Sequence, residues 1–225
     1  MCVLTFVPVQ KGFVLTNNRD EDPKRPTALS PRPYKIGRQN VVFPKDPKGQ
    51  GTWIATTESQ SLVLLNGGKE KHIPKPPYRH SRGLVVLDYL KYANHKQFLS
   101  KYNFEHIEPF TMLIFPHEQD QIIQIQCNTH EVETSYLPNN KPLIWSSSTL
   151  YNAETRAKRA IWFKHFLEEN PKPGAHDLKR FHLFGGEGDP ENDLKMNRNE
   201  AVKTLSLTQI VVKSGKGQLN FEALN

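Results

Sequence analysis

The chain begins with two short stretches dominated by β-branched and aromatic residues, Val3–Val7 and Gly12–Thr16. A connection of four residues that opens with Pro8 separates them, which is a typical length for a hairpin. The pattern predicts an antiparallel hairpin whose first strand starts close to residue 1. The residues after the second strand should therefore lie beside the start of the first strand.

Two long stretches rich in proline and basic residues interrupt this β-like pattern. Residues 17–50 form the first, and they predict a long ordered loop with little regular structure. A second pair of strands is predicted at 51–57 and 61–65 and is closed by a turn at 66–68, after which residues 69–82 form the second basic stretch. Because long ordered loops usually border a site, we expect both loops at the mouth of a cleft.

The rest of the chain changes between helical and strand periodicity in blocks. Helices are predicted near 84–92, 95–102 and 153–168, and strands at 110–115, 121–127 and 131–136, in a segment ending at Trp145, and at 204–213 and 217–221. In the helix 153–168 we expect the apolar residues to pack on a sheet, with Arg156, Lys158 and Arg159 on the opposite side. Blocks of strands and helices without a glycine-rich dinucleotide motif predict an α+β fold.

The composition is that of a globular protein. The 225 residues are 36% hydrophobic and 24% charged, and this length predicts a single domain spanning 1–225. No apolar run approaches the roughly 18 residues that cross a bilayer, so we expect no membrane span. Residues 1–6 carry no positively charged leader, which predicts a cytoplasmic location.

The net charge of +7 is unevenly distributed. Residues 1–82 contain 14 Lys or Arg against 6 Asp or Glu, whereas the remainder contains 16 against 17. No helix-turn-helix, zinc-finger or RNA-binding motif accompanies the excess, so we expect no nucleic-acid partner. The excess lies mostly in the two proline-rich loops, and it predicts a small-molecule substrate that is anionic.

Metal and cofactor chemistry find little support in the sequence. The two histidines His176 and His182 lack metal-site spacing, and the acidic residues within 189–193 do not match a calcium loop. We interpret these acids as part of a solvated loop and expect neither a metal nor a cofactor. Two cysteines are too few for a disulfide framework.

Cys2 is the strongest candidate for chemistry. Removal of Met1 would leave Cys2 as the first residue, with a thiol and a free α-amine on one residue. An α-amine titrates near pH 8, so it can act as a general base for its own thiol close to neutral pH. The alternative is that Cys2 is only a small buried hydrophobic residue in a strand.

Arg19 and Asp20 follow the second strand, so the hairpin should return them to the neighbourhood of residue 2. Asp20 could hold the α-amine, and Arg19 could bias the thiol toward thiolate. The alternative is a solvated turn that carries a weak surface ion pair.

Several short motifs occur together and in order: Met1-Cys2, then 18–21 as Asn-Arg-Asp-Glu, Arg25-Pro26, Gly-Thr-Trp-Ile at 51–54, and a strand that ends at Asn66. In this combination and spacing the chain resembles the NRDE protein family, which includes the Transport and Golgi organisation 2 proteins. That resemblance implies a relation to the amino-terminal nucleophile (Ntn) hydrolases and hence a four-layer αββα sandwich.

The resemblance also implies roles for individual residues. Cys2 would be the nucleophile, Asp20 would lie near the α-amine, and Asn66 would help form an oxyanion hole. We expect five further residues to bind substrate: Asn18, Trp53, Ser147, Arg79 and Arg82.

The chain departs from the family pattern at two places. Ser147 stands where family members commonly have Asn, and residues 203–206 replace a Gly-Thr-Arg pattern. Asn152 or Arg198 could supply the missing groups.

These features lead to two functional hypotheses. The first is a cysteine-dependent amidohydrolase or acyltransferase acting on a nonpeptide C–N or thioester bond, with Cys2, Asp20, Arg19 and Asn66 as catalytic residues. The alternative is a noncatalytic carrier that uses the same cleft for a hydrophobic ligand such as haem or an acyl-CoA.

Overall fold

The computed structural model describes residues 3–129 and 131–224. Its elements run in this order: β1 (Val3–Val9), β2 (Gly12–Glu21), β3 (Leu29–Ile36), β4 (Gln39–Lys45), β5 (Ile54–Thr56), β6 (Gln60–Asn66), α1 (Arg82–Tyr89), α2 (His95–Lys101), β7 (Phe110–Pro116), β8 (Gln121–Cys127), β9 (Val132–Pro138), β10 (Leu143–Ser146), α3 (Ala153–Glu169), α4 (Ala175–Phe184), β11 (Asn197–Arg198), β12 (Val202–Lys213) and β13 (Lys216–Ala223).

The strands form two antiparallel sheets. The first sheet has the order β10-β1-β2-β12-β11, with β13 also paired to β12. The second runs β3-β4-β5-β6-β7-β8-β9. The first sheet thus joins the amino terminus of the chain to its carboxyl-terminal hairpin, whereas the second sheet is mostly a meander with neighbours in chain order.

Side chains alternate across each strand, and this alternation builds three apolar layers. Leu4, Phe6 and Leu15 meet Val63 and Phe115 between the two sheets. On the outer face of the first sheet, the other side of β1 and β2 packs against α3 and α4. On the outer face of the second sheet, α1 and α2 cover β4 to β8. The expected four-layer αββα sandwich is confirmed.

The predicted loop at 17–50 is wrong over most of its length. β2 continues to Glu21, and β3 and β4 form a hairpin inside the proline-rich stretch. Pro31 and Pro33 fit because β3 is the first strand of its sheet, where a residue without an N–H loses no ladder hydrogen bond on the outer side. The second stretch, 69–82, does stay irregular until α1 begins.

Helix α3 occupies the predicted residues, but its buried face differs in part from the predicted one. Arg159 is completely buried and Ile161 is 52% exposed, the reverse of the predicted arrangement. Phe163, Phe166 and Leu167 do pack on the first sheet, as predicted. Arg159 is buried because the sheet surface beneath α3 and α4 also carries polar side chains, among them Thr5 and Asp20. Helix α4 was not predicted.

No helix in the described part of the chain is both long enough and apolar enough to cross a membrane.

Candidate active site

The start of β1 lies between two other strand ends. Val3 pairs with Asn18 of β2 on one side and with Ser146 of β10 on the other. Cys2 falls outside the described residues, but it is bonded directly to Val3. The residues beside Val3 therefore define the surroundings in which the chemistry proposed from the sequence has to be judged.

Successive residues of β2 serve opposite faces of the first sheet. Arg19 faces the second sheet, where its guanidinium lies 4.5 Å from the centre of the Trp53 ring. Asn18 and Asp20 face the layer of α3 and α4, where their partners include His182 and Tyr151. The sequence places Arg19 and Asp20 side by side, whereas the structure separates them by the thickness of the sheet.

Arg19 lines a cavity of about 460 Å³, called here the first cavity. Trp53 and Asn66 also line it, as do Arg25 and Asp46 from the first basic stretch and His80 to Arg82 from the second. Both stretches thus reach the cleft, as the sequence predicts.

Carboxylates accompany every arginine of the first cavity. Arg19 lies 3.8 Å from both Glu21 and Asp46. Arg25 donates from Nε to Asp46 Oδ2 at 3.0 Å, and Arg82 pairs with Glu108 at 3.1 Å. Although burial alone would raise it, the hydrogen bonds and charge of Arg25 hold the pKa of Asp46 below its ordinary value.

Arg79 takes a different position from Arg82. Its guanidinium donates to the carbonyl of Asn103 and lies 5.3 Å from the centre of the Tyr102 ring. Arg79 does not line the first cavity in the structure, although its neighbours Tyr78 and His80 do.

Asp20 is buried within a hydrogen-bonded group. Tyr151 donates its hydroxyl proton to Oδ2 at 2.7 Å, and Thr204 donates to Oδ1 at 2.5 Å. The Tyr151 ring in turn lies 3.7 Å from the Arg159 guanidinium and 5.1 Å from that of Arg198. The carboxylate is thereby held in one orientation beside the end of β2.

Sequence reasoning did not find Tyr151, Thr204 or Arg159. Thr204 sits in the stretch that departs from the family pattern, and this was the one available signal. Arg198, expected as a replacement arginine, stacks on Tyr151 and bonds the carbonyl of Leu150. Asn152 caps α3 by accepting a hydrogen bond from the Thr155 amide.

Asn18 is committed to the packing of α4. Its Nδ2 donates to the carbonyls of His182 and Leu194, and its Oδ1 lies 3.1 Å from His182 Nδ1. Thr5 Oγ1 lies 2.8 Å from His182 Nε2. A neutral imidazole with its proton on Nδ1 satisfies both contacts. Burial, aided by the positive charge of Arg159, lowers the pKa of His182 to about 3.

Asn66 ends β6 and lines two cavities, the first cavity and a smaller one of about 230 Å³, called here the second cavity. Ser147 Oγ donates to the carbonyl of Asn66 at 2.7 Å, so Ser147 positions the backbone that carries Asn66. Gly67 follows with φ +88°, and a Cβ there would lie 2.2 Å from Ser148 Oγ. The turn therefore needs glycine both for its conformation and for its close packing.

The second cavity lies on the β10 side of the start of β1. Ser146, Ser147, Gln124, Lys69 and Arg156 are among the residues that line it. Arg156, in the first turn of α3, lines this cavity together with residues of β8 and β10. The expectation that it lies on the helix side away from the sheet is therefore wrong. Like Arg159, it was misplaced because the apolar residues alone do not define the buried side of α3.

Two further observations concern metal binding and the reactivity of the second cysteine. Among the described residues, no group of three or more His, Cys, Asp and Glu side chains could hold a metal ion. Burial raises the pKa of the Cys127 thiol to about 11, so this thiol stays protonated near neutral pH.

Comparisons with known proteins agree with this architecture. The family model described as Transport and Golgi organisation 2 matches residues 1–171. Among solved structures, the chain is similar to a variant of conjugated bile acid hydrolase from Clostridium perfringens, with a TM-score of 0.55 over 99% of this chain and 92% of that one. The two sequences are 9% identical, so the likeness concerns the fold. No curated protein sequence matches the chain.

Proposed function

The chain belongs to the Transport and Golgi organisation 2 family, and from that premise and its Ntn-hydrolase-like fold we propose that it is a cysteine hydrolase of the amino-terminal nucleophile type. The reaction proposed is hydrolysis, or acyl transfer, at a nonpeptide C–N bond or a thioester of a small molecule. Cys2 is the nucleophile after removal of Met1.

One observation carries this proposal. Val3 pairs with Asn18 and Ser146, so the chain begins β1 between a cavity lined by Arg19 and a cavity lined by Ser146. Asn66 lines both cavities. A nucleophile bonded to Val3 would thus have space for a substrate on either side of it and an amide side chain nearby.

In the proposed mechanism, the Cys2 α-amine takes the thiol proton as the sulfur attacks the carbonyl carbon of the substrate. Asn66 donates from its side-chain amide to the oxyanion that forms. The ammonium then returns the proton to the leaving nitrogen or sulfur, and the C–N or C–S bond breaks to leave a thioester on Cys2. Water attacks this thioester with the amine again as base, which releases the acid and restores the thiol.

The charges of Asp20 and Arg19 assist the proposed reaction. The Asp20 carboxylate, oriented by Tyr151 and Thr204, holds the α-ammonium in place. The Arg19 guanidinium stabilises the thiolate, although Glu21 and Asp46 reduce its effect.

The alternative of a hydrophobic-ligand carrier fits the first cavity less well. Its described lining includes three arginines and three carboxylates, and charged side chains of this kind suit a polar ligand better than a macrocycle or an acyl chain.

A matched pair of cysteine variants tests the proposal. The purified chain is incubated with a panel of small amides and thioesters, and the release of acid is followed by mass spectrometry. Cys2→Ala should abolish turnover, whereas Cys127→Ala should retain it, because the Cys127 thiol is buried and protonated. Equal activity of the two variants would contradict the proposed nucleophile.

A further inference from the structure

Arg156 differs from the other arginines beside Asn66, because it has no partner within the described part of the chain. Among the described residues, its guanidinium makes no hydrogen bond, ion pair or ring contact, and its Nε is a buried donor without an acceptor. A buried N–H that lacks an acceptor costs about 1–3 kcal/mol, more for a charged group. A side chain in this position is explained if an acceptor from outside the chain completes it.

The side chains that surround Arg156 in the second cavity are neutral or donate hydrogen bonds. Ser146, Gln124 and Gln126 line it together with Asn66. The other cation of the lining, Lys69, binds Glu133, whose side chain is not part of the cavity wall. The described lining contains no carboxylate, so nothing in it offsets the charge of Arg156.

We propose that the second cavity binds a small anionic group, a carboxylate or a phosphate, through the Arg156 guanidinium. Its volume of about 230 Å³ suits a small acid group with a few attached atoms. Planar N–H donors of arginine match two oxygens of either anion, and such charge-assisted bonds are about twice as strong as neutral ones.

This inference deepens the proposed function and rests on it for its catalytic meaning. Asn66 lines both cavities, so an anion held by Arg156 places the adjoining bond of a substrate next to Asn66 and the start of β1. The rest of the substrate then extends into the larger first cavity. The substrate class is therefore an acylated small acid whose acid group enters the second cavity.

The three tryptophans of the chain provide a local test of anion binding. Trp145 lines the second cavity, Trp53 lines the first, and Trp162 lies on α3 with its indole N–H donated to Glu187. The full chain, labelled with ¹⁵N, is titrated with sodium acetate and, separately, with sodium phosphate, while sodium chloride holds the ionic strength constant. The indole N–H signals are followed by NMR.

We expect the Trp145 signal to shift and saturate, with Trp53 and Trp162 nearly unchanged. Arg156→Gln should weaken binding at least about 10-fold, because charge-assisted hydrogen bonds are lost. Lys158→Gln, the same charge change on an exposed residue of α3 paired to Glu154, should leave it unchanged. Whichever anion saturates at the lower concentration identifies the acid group. Arg156→Lys keeps the charge and should retain part of the affinity.

The inference is overturned if neither anion gives a saturable shift at Trp145, if Trp53 responds in its place, or if Arg156→Gln binds as the natural chain does. Cys2→Ala separates the two proposals, since it should bind the anion normally. Anion binding in a chain that turns over no substrate would count against the proposed function alone.

Discussion

The two cavities beside Asn66 each contain arginine, and they differ in what surrounds it. In the first cavity Arg19 and Arg25 share Asp46, and Arg82 pairs with Glu108. In the second, Arg156 has no carboxylate partner among the described residues. Internal ion pairs shape the first cavity, whereas the second retains a charge available to a ligand.

This difference shows how little a charge count says about a site. The excess of basic residues lies in 1–82, and that segment supplies the arginines of the first cavity. Carboxylates within or facing the same segment offset them there. The unpaired arginine comes from the remainder of the chain, which is close to neutral by composition.

The largest expected effect comes from removing the carboxylate on which the first cavity depends. Asp46→Ala leaves Arg25 and the nearly buried Arg19 with less compensation, and it should lower the free energy of unfolding by about 3 kcal/mol. Urea denaturation measures this change. Glu133→Gln, which breaks the exposed pair with Lys69 at the second cavity, is the matched control and should have little effect. Similar losses from both variants would contradict the contrast between the cavities.

A second test concerns His182, which lies across the first sheet from the first cavity and is neutral. Its pKa is about 3 in the folded chain and about 6.5 when unfolded, so the unfolded chain binds an extra proton between these values. The stability that depends on neutral His182 should therefore be fully present above about pH 6.5. Below that pH the free energy of unfolding should fall by roughly 1.4 kcal/mol per pH unit.

The slope is measured by urea denaturation between about pH 7 and pH 5. His182→Gln should remove most of it, and His176→Gln, which changes an exposed histidine of the same helix, should leave it intact. An unchanged slope in His182→Gln would show that other groups dominate the acid response.

Gly67→Ala acts on the turn that follows Asn66 and therefore on both cavities. The positive φ and the contact with Ser148 should together cost about 1.5 kcal/mol of stability and should reduce turnover. Gly188→Ala has a similar φ of +84° but open space around the added Cβ. Comparing the melting temperatures of the two variants separates the cost of the steric contact from the cost of backbone strain. We expect Gly67→Ala to lower the melting temperature more than Gly188→Ala does. The reverse order would mean that the packing at Ser148 is loose.

The smallest effect is expected at Arg79. Because its guanidinium contacts Asn103 and Tyr102 and is absent from the described lining of both cavities, Arg79→Gln should change the acetate or phosphate affinity by less than about twofold. The Trp145 titration is again the measurement. A loss of anion affinity as large as that of Arg156→Gln would instead indicate that the basic stretch 69–82 binds the anion.

The fold was predictable from local pattern where pattern and packing agree. The hairpin of β1 and β2 and the meander of β7 to β9 follow apolar periodicity. The same periodicity gives the extent of helix α3, but only part of its buried face. The edge hairpin of β3 and β4 was missed, because its prolines are tolerated only at the edge of a sheet, which a sequence does not reveal. Helix α4 was missed because its buried side includes His182, which looks polar in sequence.

The site was predictable only in part for a similar reason. The motif and hairpin geometry brought Arg19 and Asp20 to the end of β2, but strand alternation separates their side chains onto opposite faces. The positions of Arg156 and Arg159 depend on how α3 is rotated over a polar sheet surface, and Tyr151 lies just before that helix. That rotation is a property of the packed layers: Phe163, Phe166 and Leu167 lie on the sheet, but Arg159 is buried as well and Ile161 is exposed.

The most direct test of the central claim is the mass and site of a trapped acyl group. The purified chain is quenched with acid during turnover of a thioester substrate, and the intact protein and its peptides are measured by mass spectrometry. We expect a chain lacking Met1, with one acyl group on Cys2 and none on Cys127. A chain that retains Met1 although aminopeptidase is in excess, or an acyl group on Cys127 alone, would contradict it.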